Sequence, residues 1–192
     1  MKLHLSAWLL AALSAAFGLT SCDDDADNIY SSHRAFFRFS PVTAAPKTLF
    51  PALNSPGEWC SVSVNGTYYN FSSANGQKDT YPISAADQYY AREWVSGLLV
   101  GTPSVPSIST NGFEVVCYDL VCPNCMEVDA VTRAVKFSGS NHHECVTCSR
   151  CGRVYNLQNQ AVVSDGAVEG ESNRPLFRYR CSYSNDVFVV QN

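Results

Sequence analysis

Positive charge is scarce in this sequence, and no basic stripe runs through it. Lysine and arginine number 13 against 17 aspartates and glutamates, which gives a formal net charge of −4. Proteins that bind nucleic acids usually cluster basic side chains against phosphates, so this balance argues against a nucleic-acid partner. We also recognise no serine–histidine–aspartate set, carboxylate pair or phosphate-binding loop. The sequence gives no indication of hydrolase or transferase activity, and at most a redox or electron-transfer role remains for an enzyme.

Long apolar runs are also missing after residue 19, so no later segment is predicted to cross a bilayer. The one early run, residues 5–19, follows Lys2 and is too short for a membrane span, but it is typical of a secretory signal. It ends at Leu19-Thr20-Ser21-Cys22, which resembles a bacterial lipobox. We expect residues 1–21 to be a lipoprotein signal peptide and lipidated Cys22 to anchor the protein to a membrane. The alternative is an ordinary signal peptide followed by a chance cysteine.

Residues 22–34 are polar and are predicted to form an acidic tether between the lipid and the folded domain. The run Asp23-Asp24-Asp25 resembles the export tag with which some Gram-negative anaerobes send lipoproteins to the cell surface. A solvated spacer is the alternative. The expected location is the outer membrane or cell surface of a Gram-negative bacterium. Residues 35–192 have a length that suits a single domain with a sizeable core.

Two Cys-x-x-Cys pairs carry the strongest chemical signal. Cys122 and Cys125 form the first pair, Cys148 and Cys151 form the second, and 22 residues separate the pairs. Two tight turns of this kind can present four sulfurs to one tetrahedral metal site. Gly152 follows the second pair and would let the backbone turn sharply, bringing N–H groups near sulfur. Disulfide pairing is the alternative, because an exported protein can hold disulfides.

Cys145 lies three residues before Cys148, so a second pair made of these two cysteines is also possible. We prefer Cys148 with Cys151, because a glycine and strand-like residues follow that pair. Arg150 and Arg153 lie beside it and are expected to offset part of the thiolate charge, unless they are ordinary solvated charges. Cys60 and Cys181 occur in alternating patterns and are expected to be packed rather than to bind metal.

Short alternating segments dominate the rest of the chain, with little helix and no repeats. The pattern predicts an all-β sandwich or open barrel, with a small metal-binding subdomain of two Cys-x-x-Cys loops at 117–155. Asn65-Gly66 predicts a hairpin with a type I′ turn, since both central residues of that turn need positive φ. Residues 184–186 predict the turn of a final hairpin. A strand is predicted at 130–137 and a short helix at 87–94.

From Glu114 onward the order of motifs resembles the Rieske domain. A strand ends in YDLVCPNC, a spacer follows, and then come CSRCGRVYNL, the glycine-rich SDGAVEG and RPLFRY before a last hairpin. The family's hallmark is C-x-H and later C-x-x-H-G, with a nearby aromatic and a Pro-Leu-x-x-Tyr motif. Tyr155 and Pro175 through Tyr179 fit this order. The chain is also similar to a group of Rieske-like lipoproteins in which cysteines replace histidines.

The resemblance implies a Rieske-like domain that binds a [2Fe–2S] cluster and transfers electrons to an unidentified partner protein. It aligns Cys122 and Cys148 with the family's cysteines and puts Cys125 and Cys151 where histidines would stand. The first pair is one residue wider than in the family, and His142 and His143 match neither histidine position. The loop after Gly166 also lacks the shielding proline. With four thiolates the reduction potential would fall toward roughly −400 mV.

A zinc ion is the rival occupant of the same four cysteines. Four thiolates close the coordination sphere of Zn²⁺, so such a site would be structural. The signal has Lys2 but no twin arginine, which predicts export of an unfolded chain. A preassembled cluster would not survive that route, whereas zinc could bind afterwards. A redox-active dithiol is a third possibility, but it would need a helix N-terminus, and the cysteines are predicted to lie between strands.

Overall fold

A computed structural model describes residues 29–85, 87, 92–107, 112–139, 144–171 and 173–192. The predicted signal peptide, Cys22 and its acidic run, and His142 and His143 lie outside the described residues. So do four of the eight residues of the predicted helix at 87–94, although Glu93, near its end, forms a β-bridge with Phe36. No helix in the described part of the chain is long and apolar enough to cross a membrane.

Twelve strands and two short α-helices make up the regular structure of these residues. The strands are β1 Phe36–Phe39, β2 Trp59–Asn65, β3 Tyr68–Ser73, β4 Lys78–Pro82, β5 Leu98–Gly101, β6 Val116–Asp119, β7 Lys136–Phe137, β8 Cys145–Thr147, β9 Val154–Asn156, β10 Val162–Asp165, β11 Arg178–Ser184 and β12 Val187–Gln191. The helices are α1 Leu49–Asn54 and α2 Pro123–Asp129, and a 3-10 turn covers Val42–Ala44. The mostly-β prediction is confirmed.

Eight of the strands form a curled, antiparallel half-barrel. Their order is β1-β12-β11-β6-β5-β2-β3-β4. The other four strands form a small antiparallel sheet in the order β10-β9-β8-β7. In the chain this small sheet lies between β6 and β11, which are hydrogen-bonded neighbours in the large sheet. The predicted cysteine-bearing subdomain is therefore an insertion between two adjacent strands of the half-barrel.

Two apolar clusters hold these layers together. The first lies inside the curl, where aromatic rings pack edge to face; Phe37 and Tyr69, for example, have ring centroids 5.4 Å apart. The second lies between the large and small sheets and includes Trp59, Leu99 and Tyr118. Cys122, Cys125 and Cys148 belong to this second cluster, so the candidate metal ligands are part of the inter-sheet core.

Both predicted hairpins form, but one turn differs by a residue. Asn65 pairs with Tyr68, so the loop between β2 and β3 is Gly66-Thr67 rather than Asn65-Gly66. Of these two loop residues, Gly66 alone has a positive φ, +59°, which is the pattern of a type II′ turn. In the last hairpin, Asn185 and Asp186 both have positive φ, at 50° and 61°, as a type I′ turn requires.

Sequence reasoning missed both helices. In α1 the proline at 51 lies in the first turn, where its missing N–H costs nothing, so a proline-rich stretch can still be helical. The strand predicted at 130–137 was wrong for most of its length, since regular pairing covers only Lys136–Phe137. Its partner β8 has three residues, and only Val146 and Thr147 of them pair with β7. Cys60 is buried in the first cluster, as expected.

Candidate metal centre

The two Cys-x-x-Cys pairs converge on one point. The sulfur atoms of Cys122, Cys125, Cys148 and Cys151 all lie within 4.8 Å of one another. The Cys122–Cys151 and Cys125–Cys148 sulfur pairs are each 3.6 Å apart. A tetrahedral ion with zinc–sulfur bonds of about 2.3 Å separates its sulfurs by about 3.8 Å. The four cysteines could therefore hold a metal ion, and Cys145 is not one of this group.

The first pair is positioned by α2, contrary to the expectation that it lies between strands. Cys122 is the residue before the helix, and its carbonyl accepts the N–H of Met126 at 3.1 Å. Pro123 begins the helix, where its fixed φ suits the first turn. Cys125 lies in that turn, three residues after Cys122, and this spacing brings both side chains to one side of the helix.

The second pair is positioned by the tight turn between β8 and β9. The N–H of Cys148 donates to the carbonyl of Arg153 at 3.0 Å, and the N–H of Gly152 donates to the carbonyl of Cys148 at 2.9 Å. Gly152 has a φ of +75°, which a side chain would disfavour. A β-carbon at Gly166 would lie 2.7 Å from the Gly152 carbonyl oxygen, so a second glycine lets the following loop pack on this turn.

Arg153 is the charged residue most closely tied to the sulfurs. Its side chain is 4% exposed and bonds Glu171 and Asn173, and its guanidinium also reaches the Cys151 sulfur. Burial alone would raise the pKa of Cys151. Hydrogen bonds from the backbone N–H and the guanidinium of Arg153, together with those from the Cys122 and Cys148 thiols, overcome that effect and lower the pKa of Cys151 to about 7. The Cys151 thiol therefore loses its proton at a lower pH than an ordinary cysteine, close to neutral pH.

Arg150 behaves differently from Arg153. Its guanidinium pairs with Asp129 at 3.0 Å, and the two side chains are 43% and 42% exposed. This ion pair joins the second cysteine turn to the end of α2 across the surface. Exposed pairs of this kind contribute little to stability. The charge of Arg150 is directed to Asp129 rather than to sulfur, as in an ordinary solvated ion pair.

Tyr155 also contacts a sulfur, and Asn124 in turn contacts Tyr155. The hydroxyl of Tyr155 lies 3.1 Å from the Cys122 sulfur, and the Asn124 amide donates to that hydroxyl at 3.0 Å. Both side chains are buried. Sequence reasoning matched Tyr155 to the aromatic position of the Rieske pattern but predicted no contact with sulfur, and it gave Asn124 no role. The sequence does show a polar amide between the two cysteines of Cys-Pro-Asn-Cys. Strand alternation could not predict that this amide contacts a tyrosine 31 positions later.

The thiols of Cys122 and Cys125 are less acidic than that of Cys151. Burial raises the pKa of Cys122 and that of Cys125, and the neighbouring thiols raise the Cys125 pKa further. Metal ligands must lose their protons, so metal binding here would release protons to solvent. All eight cysteines in the described residues are free thiols, and none of these forms a disulfide. Cys181 is half-buried and its sulfur contacts the carbonyl of Val115 at 3.4 Å, which fits a packed residue.

Comparison with family models, curated proteins and solved structures returns no match. The Rieske-like relationship therefore stays a prediction from the motifs.

Proposed function

We propose that Cys122, Cys125, Cys148 and Cys151 hold one Zn²⁺ ion, which clamps the small sheet onto the half-barrel of a non-catalytic protein. The compact arrangement of the four sulfurs, all within 4.8 Å of one another, carries this proposal. In a two-iron cluster each iron takes two cysteines, so the two sulfur pairs would stand apart by the additional iron–iron separation. Four mutually close sulfurs suit a single ion better.

The small sheet supplies a reason for such a clamp. Its strands β7 to β10 have two, three, three and four residues. Strands this short gain little from their own pairing and need support from other contacts. The four cysteines would supply that support, because one pair follows β6 of the large sheet and the other lies between β8 and β9. Since four thiolates leave no open position on zinc, the site would not bind substrate.

The predicted export route also favours zinc. A signal with Lys2 and no twin arginine would carry the chain across the membrane unfolded, and zinc could be bound after transport. We propose a lipoprotein anchored through Cys22 at the outer membrane or cell surface, in which zinc completes folding after export.

The second candidate is a Rieske-like [2Fe–2S] electron-transfer module. Hydrogen bonds to ligand sulfurs support it, because they tune the reduction potentials of iron–sulfur clusters. Tyr155 supplies one such contact to Cys122, and the backbone N–H of Arg153 supplies one to Cys151. These contacts would also stabilise thiolates bound to zinc, so they fit both candidates.

Metal analysis of the full-length protein, exported by its own signal and purified without oxygen, tests the proposal. We expect one zinc per chain and no visible absorption. Two irons with acid-labile sulfide and visible absorption would contradict zinc and support the cluster. Cys148→Ser should lose the metal, whereas Cys145→Ser, a matched change three residues away, should retain it. Equal loss in both variants would contradict the assigned ligands.

A further inference from the structure

A cavity of about 540 Å³ lies between the large sheet and the turn that joins β9 to β10. Val116 and Tyr118 of β6, together with Leu157 after β9, are buried side chains in its wall. Its size falls in the range of small-molecule sites, and such sites favour the junction between structural units. None of the four metal-site cysteines lines this cavity.

Strand pairing explains why polar side chains meet there. Tyr118 of β6 lies directly opposite Arg178 of β11, so their side chains leave the sheet on the same face. Glu114 reaches the same place and accepts a hydrogen bond from Arg178 Nη2 at 3.0 Å. The guanidinium carbon of Arg178 also lies 5.5 Å from the centre of the Tyr30 ring. An aromatic ring and an ion pair thus form one side of the cavity.

Gln158 forms the opposite side. Its amide oxygen accepts the backbone N–H groups of Ser104, at 2.7 Å, and Val105, at 3.3 Å. These contacts hold the side chain in place. Gln158 Nε2 and Arg178 Nε are buried donors without a hydrogen-bond partner in the described structure. Unpaired buried donors are rare in folded proteins and point to an additional acceptor, from a ligand or from water.

The charge of the lining narrows the class of ligand. Among the described lining residues, Glu114 and Arg178 are the charged ones, and they pair with each other, so the cavity has no net charge. The other polar groups are amides and hydroxyls, which both donate and accept. An anion or cation would lack a counter-charge here. A neutral molecule with several hydroxyl groups and an apolar face matches these groups and the Tyr30 ring.

We propose that this cavity binds a neutral sugar of one or two rings. Gln158, Arg178 and Glu114 exchange hydrogen bonds with its hydroxyl groups, and the Tyr30 ring packs against its C–H face. None of these contacts involves Cys122, Cys125, Cys148 or Cys151, so a failure to bind sugar and a failure to bind zinc are separate results.

Saturation-transfer NMR on the full-length protein tests it with glucose, galactose, mannose, N-acetylglucosamine, maltose and lactose as probes, and with benzoate as an aromatic anion. We expect transfer to at least one sugar and none to benzoate. Gln158→Glu keeps the oxygen that holds Ser104 and Val105 but removes the amide donor, so it should weaken sugar binding about tenfold. Glu114→Gln should weaken it as well, and Gln77→Glu on an exposed loop is the matched control.

Three results would overturn the proposal. One is that no saturation transfer is seen to any of the six sugars. Another is transfer to benzoate alone, which would indicate a site for anions. The third is sugar binding that is unchanged in both Gln158→Glu and Glu114→Gln, which would place the sugar elsewhere. Circular dichroism of each variant shows whether it is folded. If Gln158→Glu does not fold, Glu114→Gln serves as the test.

Discussion

The Tyr155 hydroxyl lies 3.1 Å from the Cys122 sulfur and joins the two halves of the candidate metal centre. Tyr155 belongs to β9 of the small sheet, whereas Cys122 follows β6 of the large one. The Asn124 amide donates to the same hydroxyl, so the hydroxyl hydrogen is free to point at sulfur. One buried oxygen thereby orients a ligand that comes from a different sheet.

Replacing Tyr155 with phenylalanine should weaken metal binding. The change keeps the ring but removes the contact with Cys122 and leaves the Asn124 amide without an acceptor. Zinc affinity should fall roughly tenfold, the lower end for residues that orient metal ligands, and unfolding should cost about 1–2 kcal/mol less. Competition with a zinc-binding dye and urea denaturation measure the two effects. Tyr68→Phe, at an exposed position, should change neither, and equal behaviour of the two variants would contradict this role.

Replacing Arg153 with glutamine should shift metal binding to higher pH. The hydrogen bonds and charge of this arginine help to hold the pKa of Cys151 at about 7, below its ordinary value of 9.0. Without the guanidinium the thiol keeps its proton to higher pH, so the pH at which half of the protein binds metal should rise. Cobalt absorption followed across pH measures the midpoint. Arg150→Gln, which breaks an exposed ion pair, should leave the midpoint unchanged; a shift of equal size would count against the distinction between the two arginines.

Metal affinity should fall steeply as the pH is lowered. Burial raises the pKa of Cys122 and that of Cys125, so both sulfurs are protonated at neutral pH in the metal-free protein. Each must lose its proton to bind metal, so affinity should change at least a hundredfold per pH unit near neutrality, about tenfold for each proton released.

Above the ordinary thiol pKa of 9.0, the stability that Cys122 and Cys125 give the metal-free protein should fall as the pH rises. Thiols with a raised folded-state pKa favour the folded state below their ordinary value of 9.0, and this advantage is lost as the pH rises through the folded-state pKa. Calorimetric titrations at several pH values measure how metal affinity depends on pH. Urea unfolding of the metal-free protein at the same pH values measures how its stability does. A pH-independent affinity would contradict thiolate ligation.

Removing the metal should loosen the small sheet first. Because metal binds the folded state, its removal costs RT ln(1 + [L]/Kd), about 4 kcal/mol at a thousandfold excess over Kd. A chelator should therefore lower the melting temperature, and hydrogen exchange should increase in residues 144–165 before it increases in β2 and β3. Exchange that rises equally in both sheets, or an unchanged melting temperature, would argue against a clamp.

Replacing Asp119 with asparagine should destabilise the half-barrel. This buried carboxylate accepts the N–H groups of Val95, Ser96 and Val121 and the hydroxyl of Tyr179. An amide offers one acceptor oxygen, so buried donors would lose their partner at a cost of about 2–4 kcal/mol. Urea denaturation measures the loss. Asp165→Asn, at an exposed position, is the control and should change stability by less than about 1 kcal/mol.

Alternation and turn residues predicted two hairpins of the large sheet, β2–β3 and β11–β12, because these strands carry their own pattern. The second cysteine turn was also predictable, since Gly152 and the strand after it are local signals. The helix at the first pair was not, because Cys-Pro-Asn-Cys suits a turn as well as a first helical turn, and proline is accepted in both.

Contacts between distant segments could not be predicted from local patterns. The cavity brings together Tyr30, Tyr118, Gln158 and Arg178, and its existence depends on how the small sheet lies against the large one. The partner of Arg153 was hidden for the same reason, since Glu171 belongs to a later loop. The Rieske-like order of motifs concerns the whole second half of the chain and remains a prediction.

The small sheet covers Trp59 and Leu99 on the outer face of the half-barrel, and both side chains are fully buried there. A chain that never acquires metal would leave this aromatic and aliphatic surface open to water. Exposed apolar surface of that kind promotes self-association and is recognised by quality-control factors. Under metal starvation, then, the cell would lose copies of the protein to aggregation and degradation, and its abundance would report the metal supply.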